Sequence, residues 1–230
     1  MIIYGLQKLS LLDYPGKTAC TVFTGGCNFR CPYCHNASLV VGLNEIEPVE
    51  YDDFFAFLTK RKNILDGVCI TGGEPLLQPD IEEFIREIKK LGYSVKLDTN
   101  GSFPEKLIRL VDEKLIDYVA MDIKNSPEKY SLTAGISELD FSKINSSVEF
   151  LLADNVDYEF RTTVVKELHT KEDFVLIGDW IKGAKRYYIQ SFIDSGDILG
   201  GMFSAYGKNE LEKIKEYMQG FVNDTQIRGV

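Results

Sequence analysis

Three cysteines fall within eight positions, Cys27-Asn-Phe-Arg-Cys31-Pro-Tyr-Cys34, a C-x3-C-x2-C spacing directly after Gly25-Gly26. The two glycines let the backbone turn tightly, so three thiolates can converge from one loop. Thiolates suit zinc and iron–sulfur clusters alike. A structural zinc needs a fourth donor, and His35 could complete a Cys3His set. Two points weigh against it: His35 is adjacent to Cys34, which makes ligation by both awkward, and zinc-finger ligand pairs normally come from separated segments. On a cubane of four irons, three thiolates leave one iron for a chelating substrate. Cys20 and Cys69 lie inside apolar segments and read as small core hydrophobes. An odd total of five cysteines, three of them crowded, fits metal binding in a reducing compartment better than a disulfide framework.

A second group of polar residues stands near the ends of apolar segments: Thr71-Gly72-Gly73-Glu74, Asp98-Thr99-Asn-Gly101, Asp122-Ile-Lys124, Arg161 and Gln190. The first three have a plainer explanation beside the chemical one. Gly72-Gly73-Glu74-Pro75 could be an ordinary strand-to-loop turn, Asp98 could open an Asx turn, and Asp122 could simply pair with Lys124. Trp180 and Phe54-Phe55-Ala-Phe57 fall in helical patterns and read as core.

The elements that must position these groups follow from periodicity. Short β-branched segments at Ala19–Phe23, Val68–Thr71, Ser94–Leu97, Tyr118–Met121, Tyr158–Val165 and Tyr187–Phe192 read as strands, with Thr225–Val230 a seventh. Between them helices are expected at Tyr51–Lys62, Ile81–Leu91, Pro104–Glu113, Phe141–Leu152, Lys171–Ile181 and Asn209–Met218. In the second of these, Ile81, Phe84, Ile85 and Ile88 form one apolar stripe, Pro79-Asp80 marks its start and Gly92 its end. Alternating strands and helices predict an α/β fold with parallel strands, outer helices and right-handed crossovers. The chain's 230 residues fall short of the ~250 of a complete eightfold barrel, so a partial (β/α)6 TIM-like barrel is expected, as one domain over residues 1–230. Its open side would admit a large substrate, and in such folds the chemistry sits at the C-terminal ends of the strands.

Composition narrows the partners. A net charge of −9 gives no general attraction to phosphate backbones, so nucleic acid is not expected. No apolar run approaches the roughly 18 residues of a membrane span, and the start of the chain lacks a signal-peptide layout, which points to a cytoplasmic protein without a membrane partner.

The cysteine spacing, with Tyr33 just before the third cysteine, and the Gly72-Gly73-Glu74-Pro75 segment after a strand resemble the radical S-adenosylmethionine (SAM) superfamily. Asp13-Tyr-Pro-Gly16, Thr24-Gly-Gly-Cys27, Cys34-His-Asn36, Asp98-Thr-Asn-Gly101 and Met121-Asp-Ile-Lys124 are similar to its glycyl-radical-enzyme activases. The variety of about this length that serves anaerobic ribonucleoside-triphosphate reductase is most alike, and the pyruvate formate-lyase activases are near relatives. The resemblance implies a [4Fe-4S] cluster on Cys27, Cys31 and Cys34, reductive cleavage of SAM to a 5′-deoxyadenosyl radical, and hydrogen abstraction from a glycine loop of a partner enzyme. It implies SAM contacts at Tyr33, His35, Gly72, Gly73, Glu74, Asp98, Thr99, Asp122 and Arg161. Lys124 joins the cysteines among the catalytic groups, and with Arg161 it would balance the SAM carboxylate or nearby acidic groups. In some members Asp98, Thr99 and Asp122 lie where a monovalent cation is held. A flavodoxin or ferredoxin is the implied electron donor. Two other functions compete: a radical SAM enzyme acting on a small pterin-like molecule, and a zinc-binding or electron-transfer protein without SAM chemistry.

Overall fold

In the computed structural model, which describes residues 1–194 and 196–229, strands and helices alternate along the chain as a partial (β/α) barrel requires. Contacts divide it into two compact units: Met1–Asn28, Asn36–Thr99 and Phe103–Val119 in the first, Phe29–His35, Asn100–Ser102 and Ala120–Val230 in the second.

The first unit holds β1 (Ile3–Ser10), β2 (Ala19–Thr24), β3 (Gly67–Gly72) and β4 (Ser94–Thr99), with helices α1 (Ala37–Val41), α2 (Tyr51–Lys60), α3 (Ile81–Lys90) and α4 (Pro104–Asp112). Strands β2, β3 and β4 are parallel, Ala19 pairing with Gly67 and Gly67 with Ser94. Their central residues are buried almost without exception, as expected of parallel strands covered on both faces. The stripe expected on α3 is present: Ile81, Phe84, Ile85 and Ile88 are all buried. Gly92 follows the C-cap Leu91 with φ +89°, the left-handed conformation that ends helices. Phe84 stacks on Phe54 of α2 at a centroid distance of 5.4 Å, which places Phe54 in the core as expected, while Phe55 and Phe57 are half-buried.

Strand β5 (Tyr118–Asp122) gives its first two residues to this unit and its last three to the second. The second unit continues with β6 (Asp157–Val164), β7 (Tyr187–Ser191) and β8 (Thr225–Arg228), and with α5 (Tyr130–Ala134), α6 (Phe141–Leu152), α7 (Lys171–Trp180) and α8 (Lys208–Met218). Strands β6, β7 and β8 are parallel, Phe160 pairing with Tyr187 and Tyr187 with Thr225. The Ile123 amide donates to the Arg161 carbonyl at 2.8 Å, which ties the end of β5 to β6. Trp180 packs on Phe141 and Tyr130 and donates to Asn145 Oδ1 at 2.8 Å, a structural place.

The structure departs from the expected elements at β1, which precedes the first expected strand and runs antiparallel to β2. Gln7, Lys8 and Leu9 on it are exposed, so it carries little of the apolar signal that marks the buried strands. Helices α1 and α5, five residues each, are too short for a periodicity to develop. Strands β4 and β5 run further than expected and take in Asp98, Thr99 and Asp122. The seventh expected strand is β8; its expected end, Val230, lies outside the described residues. Among the described residues no helix is long and apolar enough to cross a membrane.

Phe84 is 2% exposed, so Phe84→Ala removes a ring from a closed cluster. Urea unfolding is expected to show a loss of about 3–5 kcal/mol; a loss below about 1 kcal/mol would contradict the packing described.

Candidate active site

The residues singled out by sequence fall in both units. In the first, β2 and β3 end side by side, and their glycines bring two backbones into contact. The Gly73 amide donates to the Thr24 carbonyl at 2.9 Å and the Glu74 amide to the Gly26 carbonyl at 2.8 Å. Gly26 in turn donates to Leu39 at 2.7 Å. A Cβ at Gly73 would stand 1.9 Å from the Gly26 oxygen, and one at Gly72, whose φ is +113°, would stand 2.4 Å from the Thr24 oxygen. Glycine is therefore required at both. Cys27, the next residue after Gly26, leaves directly from this junction.

Glu74 is 1% exposed. Its Oε1 accepts from the Leu76 amide at 3.0 Å and from the Thr99 hydroxyl at 2.8 Å, so residues at the ends of β3 and β4 are joined. Asp98 pairs with the buried Lys96 ammonium. Cys69 is buried as expected, but in polar company: its thiol is 3.7 Å from Asp98 Oδ1 and 3.8 Å from Lys96 Nζ. Cys20 is fully buried, and burial pushes its thiol up to about 12, which keeps it inert.

In the second unit the Cys34 amide donates to the Cys31 carbonyl at 3.0 Å, the Arg30 amide to Ala134 at 2.9 Å, and the Gly200 amide to Pro32 at 3.0 Å. The Cys31–Cys34 turn is thus held from two sides by backbone. Tyr33 is 4% exposed, edge-on to His169 and Phe203 at 6.4 and 6.2 Å. Among the described residues its hydroxyl has no hydrogen-bond partner. Burial, then the negative charge of Cys31, raises the pKa of that hydroxyl well above its ordinary value. His35 is exposed.

Asp122 lies at the end of β5, where Lys124 Nζ reaches it at 2.8 Å and Arg161 Nε, from the middle of β6, at 2.5 Å. Burial works to raise the Asp122 carboxyl, but Arg161 and Lys124 outweigh it and hold it well below the usual carboxylate range. For Lys124 burial works downward, and the charges of Asp122, Cys31 and Tyr33 overcome it to raise the ammonium well above its usual value. The plain pairing of Asp122 with Lys124 is thus present. In Asp98-Thr-Asn-Gly the Asn100 side chain makes an Asx turn, its Oδ1 accepting from the Ser102 amide at 2.9 Å. Gln190 Oε1 meets the Thr163 hydroxyl at 3.3 Å.

Three neighbours of the site escaped the sequence reading. His169 Nε2 lies 2.9 Å from the Lys124 carbonyl, and the Tyr130 hydroxyl donates to the Asp122 carbonyl at 3.1 Å. No local spacing announces either residue. Lys96 carried a signal: a charge two positions from Asp98 in an otherwise apolar strand projects from the same face.

Among the described residues no three His, Cys, Asp or Glu side chains are gathered into a metal-ion site; the ligand set rests on residue type and spacing. By donor chemistry the loop fits an iron–sulfur cluster, since Cys27, Cys31 and Cys34 are thiols outside any disulfide among the described residues, one buried and two half-buried. The unpartnered Tyr33 hydroxyl is a second mark of a ligand site, because buried polar atoms are normally satisfied.

Compared with known families, residues 21–172 match the Radical SAM superfamily. Over its whole length the chain is 34% identical to a Methanocaldococcus jannaschii protein provisionally named a glycyl-radical enzyme activating enzyme, of which the match covers 96%. It is 28% identical over 75% of its length to 7-carboxy-7-deazaguanine synthase of Thermoplasma acidophilum, covering 79% of that protein. Among solved structures, Streptococcus suis SuiB bound to S-adenosylmethionine is similar over 90% of the chain, with a TM-score of 0.70 and 14% identity. The chain spans 49% of SuiB, and the likeness is one of fold.

The Asp122 carboxyl, held low in the folded chain, contributes stability above its unfolded pKa of about 3.9 and loses it as pH falls through the lower folded value. Asp122→Asn is therefore expected to flatten the fall in unfolding free energy below about pH 4. An acid limb unchanged by the substitution would contradict the pairing.

Proposed function

The chain belongs to the radical SAM superfamily and to its glycyl-radical-enzyme activating enzymes, and from that premise we propose that it installs the glycyl radical of anaerobic ribonucleoside-triphosphate reductase. The observation that carries the radical SAM part of the reading is the backbone junction by which the Gly72-Gly73-Glu74 segment grips the stem of the cysteine loop. Likeness to an activase along the entire chain supports it, as do the words Asp13-Tyr-Pro-Gly16 and Cys34-His-Asn36.

In this reading Cys27, Cys31 and Cys34 hold the [4Fe-4S] cluster, leaving one iron for the amino and carboxylate groups of SAM. When bound, the cluster supplies the electron that cleaves SAM to methionine and a 5′-deoxyadenosyl radical. The protein's part is to bind, orient and exclude water. Gly72 and Gly73 let backbone approach the methionine portion, and the buried Glu74 carboxylate, already accepting from Thr99 and Leu76, accepts a hydrogen bond from its amino group. Tyr33 offers a ring face and a free hydroxyl to the nucleoside, with His35 flanking it. Lys124 and Arg161, tied to Asp122, present positive charge to the SAM carboxylate without mobile side chains to order. Asp98 and Thr99 complete the contacts from β4. The substrate is then a glycine loop of the partner enzyme, the electron donor a flavodoxin or ferredoxin, and the setting a reducing cytoplasm. The whole chain serves as one domain.

The likeness to a deazaguanine synthase favours a second reading, in which the same radical acts on a small heterocycle. Two experiments separate the possibilities. Cys27→Ala, Cys31→Ala and Cys34→Ala are each expected to lose the brown colour and 5′-deoxyadenosine formation with dithionite, whereas Cys20→Ala and Cys69→Ala keep the cluster. Full activity in any of the first three would refute the ligand assignment. Spin resonance of anaerobic ribonucleotide reductase incubated with the protein, SAM and reductant is expected to show a glycine-centred radical. Active deoxyadenosine production without that signal would overturn the proposed target.

A further inference from the structure

Of the chain's two histidines, His35 is exposed, whereas His169 is 1% exposed. His169 stands in the loop between β6 and α7, in the second unit. Its Nε2 lies 2.9 Å from the Lys124 carbonyl oxygen, and its Nδ1 lies 3.2 Å from the Val165 amide nitrogen. The ring lies close to parallel with Phe174 at 6.1 Å and edge-on to Tyr33 at 6.4 Å. The Tyr206 hydroxyl donates to the His169 carbonyl, and the Lys166 amide donates to the Ser204 carbonyl at 3.0 Å. The loop that carries the ring is thus braced in its turn.

These partners select one form of the ring. A carbonyl oxygen only accepts, so Nε2 carries the proton; in the neutral imidazole Nδ1 is then an acceptor, which the Val165 amide fills. The Val165 carbonyl is also 3.2 Å from Nδ1, but it already accepts from the His169 amide at 3.0 Å and the Leu168 amide at 3.3 Å. Burial lowers the pKa of the ring below its usual value, in keeping with a neutral imidazole.

Filling space would ask for none of this, since a phenylalanine could pack against Phe174 and Tyr33. What imidazole adds is a rigid donor to the backbone two residues beyond Asp122. The residues on either side of Lys124 are held as well: the Ile123 carbonyl accepts from the Thr162 hydroxyl at 2.8 Å, and Asn125 Nδ2 donates to the Leu168 carbonyl at 3.0 Å. His169 supplies the hold between them, on the residue whose ammonium returns to Asp122 at 2.8 Å.

We propose that His169 is a positioning residue: by donating from Nε2 to the Lys124 carbonyl it fixes the turn after β5, so that the Lys124 ammonium is already in place for the carboxylate of SAM. Without that donor the turn is freer, and ordering it falls to the binding step. The proposal rests on Lys124 as a SAM contact and not on which protein is activated.

Five full-length chains are compared: the wild type; His169→Phe, which keeps a ring and removes the donor; His169→Gln, which keeps a donor at the place of Nε2; Lys124→Met; and Lys124→Met/His169→Phe. SAM affinity is measured on anaerobically reconstituted protein, and the histidine tautomers are read by ring-nitrogen magnetic resonance of the chain without cluster at neutral pH. His169→Phe is expected to bind SAM about tenfold more weakly, the worth of one good hydrogen bond, and His169→Gln to stay within about threefold of the wild type. In the Lys124→Met background His169→Phe is expected to cost less than about a further twofold, because the group through which it acts is gone. The ring signal that His169→Phe removes is expected to be the neutral Nε2–H form.

SAM binding of wild-type strength in His169→Phe would overturn the proposal, as would a His169→Gln chain as weak as His169→Phe. So would a full tenfold loss on adding His169→Phe to Lys124→Met, since His169 would then act by another route, or a ring protonated on Nδ1. Wild-type affinity in Lys124→Met would remove the Lys124 contact itself and the proposal with it, whereas a loss in Lys124→Met that His169→Phe does not share overturns the proposal alone. If His169→Phe fails to fold, His169→Gln and the wild-type ring signal decide: near wild-type affinity with the Nε2–H form supports the proposal, and the lack of either overturns it.

Discussion

Much of this structure depends on one close approach of two backbones. Where β2 and β3 end, Gly73 lies so near Gly26 that a single added carbon would stand 1.9 Å from a carbonyl oxygen. That contact lets Glu74 donate to Gly26 and Gly73 to Thr24, so the segment before Cys27 is fixed by main-chain hydrogen bonds. Side chains could not position it as closely, because any side chain at Gly73 would force the two strands apart. The two motifs that stand out in the sequence are thereby one piece of structure: the Gly-Gly-Glu segment is the clamp, and the cysteine loop grows from what it clamps.

Electrostatics supplies the second constraint. Both acidic side chains considered for a cation site carry a cation from the chain itself: Asp98 has Lys96, and Asp122 has Lys124 and Arg161. For Asp122, burial works to raise the carboxyl, but the two cations outweigh it and hold it low. Arrangements of this kind cost desolvation energy and return little stability. Their value lies in presenting fixed charge to a charged ligand without reorganisation at the moment of binding, which preorganised sites exploit.

The fold class was legible because its signals are strong and repeated. Six apolar segments and the stripe of α3 could belong to little else, and each strand lies within two residues of its expected bounds. Strand β1 was not legible, since exposed Gln7 and Lys8 look like surface and an edge strand needs no alternation. The cysteine loop and the glycine segment were readable from residue type, because only certain residues can do what those positions require. Partners set by tertiary structure were not. Nothing near Lys124 in the chain points to His169, and nothing near Asp122 selects Arg161 over other arginines. Asp98 shows the boundary between the two: its place at a strand end was readable, but its thiol and ammonium company was visible only once β3 and β4 were in register.

The central claim is that three thiolates from one loop hold a four-iron cluster with one iron open to SAM. It is tested most directly by the electron paramagnetic resonance spectrum of the anaerobically reconstituted, reduced protein, recorded with and without SAM. About four irons per chain and a spectrum that changes when SAM is added are expected. A spectrum indifferent to SAM, or a chain that takes up a single zinc in place of the cluster, would contradict it.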